Sequence, residues 1–84
     1  MRNYQDPAYK LFRETVRKRD KYRCRMPGCG AKKHLQVHHI RPWSKNISLR
    51  YDPSNGICLC RSCHKKITGH EHLYAATFQE IIHG

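Results

Sequence analysis

Apolar positions along this chain follow two different periods, and the changes between them outline the elements. In residues 7–20, Leu11, Phe12, Thr15 and Val16 recur at helical spacing among lysines and arginines, which predicts an amphipathic helix. Asp6 before Pro7 suits its start, an acceptor at the cap followed by a proline in the first turn. From residue 35 to 40 the period falls to two. Leu35, Val37 and His39 then share one face of a strand, and Gln36, His38 and Ile40 the other. Residues 41–55 carry Pro42, Trp43, Asn46, Pro53, Ser54 and Asn55 and read as a loop. Gly56-Ile57-Cys58-Leu59 is a short second strand. Residues 60–67 read as a helix that Gly69 stops, and 71–83 as a last helix with Leu73, Ala76, Phe78, Ile81 and Ile82 as apolar positions. The expected class is α+β, one domain over 1–84.

Such a domain has little to hold it together. With 84 residues, 38% of them apolar, the core is thin, and chains of this size often add a disulfide, a metal or a partner. The cysteines point to the metal. There are five, an odd number that suits a closed disulfide set poorly. Cys24-x4-Cys29 lies in a turn with Gly28 and Gly30, and Cys60-x2-Cys63 opens the helix after the second strand. Two turns that each offer two thiolates can build the tetrahedron that structural zinc requires. The two pairs are far apart in sequence, so the ion would tie the two halves of the chain. The plain alternative is four buried apolar thiols. Cys58, between Ile57 and Leu59, reads as a buried free thiol that competes with Cys60 for the assignment.

Charge adds a partner. Seventeen lysines and arginines against six acids give a net charge of +11, an excess that suits a polyanion, most commonly nucleic acid. The run Arg17-Lys18-Arg19-Asp20-Lys21 is either a solvated helix end, where cations suit the dipole, or a set of phosphate contacts. No stretch is long enough to span a bilayer, and the first twenty residues hold no apolar core segment. A reducing cytoplasm is the expected setting, which again favours metal over disulfide.

Three histidines and one asparagine remain. Adjacent on a strand, His38 and His39 point to opposite faces, which suits a division of labour. One ring would bind a metal and the other would face the nucleophile. His64, directly after Cys63, can be brought beside one of them by a hairpin packed on its helix. Two imidazoles leave a divalent ion with open positions, as a catalytic site needs. Each histidine alone also reads as a surface residue. Trp43 reads either as a groove-inserting ring or as cover for the small core.

The run Leu35-Gln36-Val37-His38-His39-Ile40, then Asn55, then Cys60-Arg61-Ser62-Cys63-His64, resembles the HNH nuclease family over about residues 22–67. The resemblance implies a small ββα-metal domain with flanking helices, stapled by a four-cysteine zinc. It implies His38 as first metal ligand, in place of the more frequent Asp, and His64 as second. His39 would be the general base, and Asn55 would steady the loop and orient that base. It implies Cys24, Cys29, Cys60 and Cys63 as structural zinc ligands. A neutral ligand at 38 widens the choice of catalytic ion to Mg²⁺, Mn²⁺, Ni²⁺ or Zn²⁺. The implied activity is hydrolysis of DNA, nicking with low sequence specificity by a monomer, with Arg17, Lys18, Arg19, Arg41 and Arg61 as DNA contacts. The alternatives are a zinc-stabilised DNA binder without chemistry, or an accessory subunit of a phage packaging machine with a terminase as partner.

Overall fold

The structure, a computed structural model, describes residues 5–42 and 45–83, so Trp43 lies outside the described residues. Helix α1 (Pro7–Arg19) leads to strand β1 (Leu35–His39), strand β2 (Gly56–Cys60), helix α2 (Arg61–Ile67) and helix α3 (Glu71–His83). Two short 3-10 turns, Ile47–Leu49 and Pro53–Asn55, interrupt the loop between the strands.

α1 starts where Asp6 accepts a bond from the Ala8 N–H at 2.9 Å. It stops one residue before the expected end, because Asp20 takes the cap and Lys21 and Tyr22 turn to φ of 56° and 55°. Its buried face is Tyr9, Phe12 and Val16, the residues three and four apart that form one stripe. Leu11, counted with that stripe from sequence, is 68% exposed, and Thr15 is exposed with its hydroxyl donating to the Leu11 carbonyl. One helix offers the sheet one stripe, and these two lie a step round from it. α3 shows the same effect. Phe78 is buried and Tyr74, Ala75, Ile81 and Ile82 pack beside it, while Leu73 and Ala76 face outward.

The strands pair antiparallel, with Leu35 opposite Cys60 at one end and His39 opposite Gly56 at the other. α1 covers one face, where Phe12 and Val16 meet Cys58 and Val37. α2 and α3 cover the other, where Ile40, Ile57, Leu59, Ile67 and Phe78 form the larger cluster with Cys24, Cys60 and Cys63. β2 is buried along its whole length because its outer edge is also closed. The Arg25 N–H donates to the Cys58 carbonyl, and the Cys58 N–H donates to the Asp20 carboxylate, both at 2.9 Å. Capping an edge in this way removes a template for unwanted strand pairing. Asp20 is buried, with Arg19 and Arg25 each at 2.8 Å. No described helix is long and apolar enough to cross a membrane.

Candidate metal centre and active site

The hairpin carries cysteines at one end and histidines at the other. At the first end, the register sets Cys60 as the last residue of β2 and the cap of α2, where its sulfur accepts from the Cys63 N–H at 3.5 Å. The 24–29 turn folds over this helix start, held by bonds from the Cys24 N–H to the Ala31 carbonyl and from the Cys29 N–H to the Met26 carbonyl. Gly28 and Gly30 take φ of 83° and 74° there, a region L-residues resist. The sulfurs of Cys24, Cys29, Cys60 and Cys63 then lie within 4.8 Å of one another, with Cys29 and Cys60 at 3.7 Å. Tetrahedral thiolate sites with metal–sulfur bonds of about 2.3 Å hold their sulfurs roughly 3.8 Å apart, so the four can hold a metal ion. By the protein's own groups alone, burial pushes the Cys63 and Cys24 thiols up, whereas the Cys63 N–H pulls Cys60 down to about 7. Cys58 stands outside the cluster, on the α1 face. Burial, and then the Asp20 charge, push its thiol up to about 11, which keeps it protonated and inert.

At the second end, His38 and His39 are both buried and face opposite ways. His38 turns toward α2 and α3. Its ring lies 5.4 Å from that of His64 and 5.8 Å from that of Phe78, edge-on to each. An ion bonded to two imidazoles at about 2.0–2.1 Å would hold their centroids roughly 5 Å apart, so the pair fits a shared ion. His39 turns toward α1 and stacks on Phe12 at 4.9 Å, with Tyr9 at 6.4 Å. Its Nε2 meets the Arg50 carbonyl oxygen at 2.9 Å. A carbonyl only accepts, so Nε2 carries a proton, and in the neutral ring Nδ1 holds the lone pair.

Asn55 is buried at the end of the second 3-10 turn. It ties the loop. Its Oδ1 accepts from the Arg41 N–H at 2.8 Å, and its Nδ2 donates to the Arg41 and Leu49 carbonyls at 3.3 Å. Its own carbonyl accepts from the Ile40 N–H. The buried amide thereby fixes Leu49, whose neighbour Arg50 holds His39.

The cations named from sequence are dispersed. Arg17 flanks a groove that His64 also lines. Lys18 is exposed on α1, Arg41 is exposed beside Glu71 and His72, and Arg61 is exposed at the start of α2. Arg19 is spent inside the fold. Four of its N–H groups bond the Asp20 carboxylate and the Pro53 and Gly56 carbonyls. Sequence reading passed over three contributors. Phe12 was assigned only to the core, although its ring is the platform under His39. Arg50 acts through a backbone carbonyl, which leaves no mark in a residue type. Glu71 opens α3 within electrostatic range of His38 and His64. Its carboxyl is held below the usual range by its own N–H first, then by that of Gly69 and by the two histidines.

The sequence model of one family, HNH endonuclease, matches residues 23–69, more than half of the chain. No curated protein and no solved structure matches it.

Proposed function

The chain belongs to the HNH endonuclease family, whose substrate is DNA, and on that premise we propose that it cuts DNA phosphodiester bonds by hydrolysis, with His39 as the general base. The observation that carries this reading is the split of the two adjacent histidines. His38 joins His64, while His39 is held apart by Phe12 and the Arg50 carbonyl. In this reading His38 and His64 hold one divalent ion, of Mg²⁺, Mn²⁺, Ni²⁺ or Zn²⁺ type. Such an ion supplies positive charge against the negative charge that develops on phosphoryl and leaving oxygens.

The chain's own residues do the rest. His39 takes the proton of the attacking water, its ring oriented by the Nε2 bond to Arg50. Asn55 is a positioning residue that holds the Leu49–Arg50 segment. Cys24, Cys29, Cys60 and Cys63 hold zinc as a structural ion, the tetrathiolate set being closed to substrate. Arg17, Lys18, Arg41 and Arg61 remain as DNA contacts, and Arg19 leaves that set because its donors are engaged within the fold. In this reading the cut is a nick of low sequence specificity, made by a monomer.

A supercoiled-plasmid assay tests the reading. Protein freed of loosely bound metal receives each of the four ions in turn, beside His39→Ala. The expected result is nicked circles with added metal in the wild type only, and a loss of roughly 10²–10⁴-fold in rate for the variant. A folded His39→Ala protein that cuts at the wild-type rate refutes the base assignment. Plasmid that is bound but never cut favours the DNA-binding module without chemistry.

A further inference from the structure

Among the described residues β1 pairs with no strand but β2, and a groove of about 280 Å³ runs along its other side. Consecutive residues of β1, Gln36 and Val37 among them, line this groove. Neighbours on a strand point to opposite faces, so the groove follows the strand's edge and joins its two faces. From the α2 face comes His64, whose ring neighbours His38. From the α1 face come Tyr9, Arg13 and Arg17.

The two arginines stand one turn apart on α1, where like charges repel at a cost of about 0.2–0.5 kcal/mol. Neither has an acidic partner among the described residues. The acid between them, Glu14, accepts instead from the Tyr22 hydroxyl. Arg13 lies over the Tyr9 ring, 5.8 Å from its centroid, which steadies the guanidinium without neutralising it. Arg19, two residues beyond Arg17, makes the contrast plain, since its charge is met by Asp20. Two uncompensated guanidiniums at one end of a groove and a metal-binding imidazole at the other suit an extended polyanion better than a single small anion.

We propose that this groove seats the cut DNA strand, with Arg13 and Arg17 clamping a backbone phosphate next to the one at His38 and His64. The proposal rests on the nuclease reading for the identity of the strand. It assigns Arg13 and Arg17 a positioning task, reading phosphate and no base, so its effect is the same for every DNA sequence.

The test measures DNA affinity over a range of salt by anisotropy of a labelled duplex. It uses the His39→Ala protein with no divalent ion added, so that nothing is cut. Arg13→Gln/Arg17→Gln should lower the slope of log K against log salt by about two, equally for unrelated sequences. Arg13→Lys/Arg17→Lys should keep the slope, and matched melting transitions establish that each variant is folded. A slope left unchanged by the glutamine pair overturns the clamp. So does an equal loss in Lys32→Ala/Lys33→Ala, which removes the same charge from exposed positions outside the groove. Binding with the expected slopes by a wild-type protein that never cuts keeps the clamp and refutes the nuclease.

Discussion

The two ends of one hairpin of two five-residue strands do opposite things with similar means. At the Leu35–Cys60 end four thiolates converge from two segments and close on themselves. At the His39–Gly56 end the adjacent histidines are pulled to opposite faces, and the His38 ring lies beside that of His64. On the nuclease reading, the cysteine end uses its ligands to hold the chain together, and the histidine end leaves coordination open for a substrate. A small domain tolerates an open site because a closed one lies a strand's length away.

The comparison breaks most completely at Cys63. Cys63→Ser should lose the structural ion and unfold the domain, because binding worth about 10–16 kcal/mol in zinc-stapled peptides is largely folding energy. Metal content and a thermal melt check this, and a metal-free variant with an unchanged transition refutes the four-cysteine site. Since His64 adjoins Cys63, the histidine end should fail with it.

The reverse experiment is confined to one end. Asn55→Ala removes the bonds to the Arg41 N–H and to two carbonyls, at about 0.5–1.5 kcal/mol for each part-buried bond lost. The melting temperature should fall, and the cutting rate should fall further than that loss of stability explains, while the cysteine-bound metal stays. Asn55→Asp keeps an acceptor toward Arg41 but sets a carboxylate oxygen against two carbonyls, so it should be no better than the alanine variant. Equal activity in all three proteins would remove Asn55 from the positioning of His39.

Gly56→Ala gives the smallest change and the sharpest. A Cβ there would lie 2.7 Å from Val16 and 2.9 Å from the Phe12 ring, so α1 must lift from the hairpin. Overpacking of this kind costs about 1–3 kcal/mol. Phe12 is the platform for His39, so the cutting rate should drop with the bound structural metal unchanged.

How much of this was legible in the sequence differs between the two ends. Cysteine pairs at x4 and x2 spacing are local signals, because a turn that bites a metal must present both sulfurs within a few residues. The sulfurs do converge, and Cys58 stays apart from them. The alternation around His38 and His39 was also local, and it put their rings on opposite faces. Helix faces were read less well. Leu11 and Leu73 look like core by residue type, yet each helix has a single stripe to offer and tertiary packing chose another. Least legible were features made by distant partners. Arg19 and Asp20 looked like part of a basic run, whereas their bonds run to Arg25, Pro53, Gly56 and Cys58. The carbonyl of Arg50 against His39 depends on a loop path that no residue type encodes.

The cysteine cluster is also lopsided. Cys24, Cys60 and Cys63 are buried, and Cys29 is exposed on its glycine-flanked turn. Oxidants, chelators and competing thiols therefore meet the staple at one sulfur. The lifetime of an ion held there would be a property of the Met26–Gly30 turn, while the strength of binding would belong to all four sulfurs together.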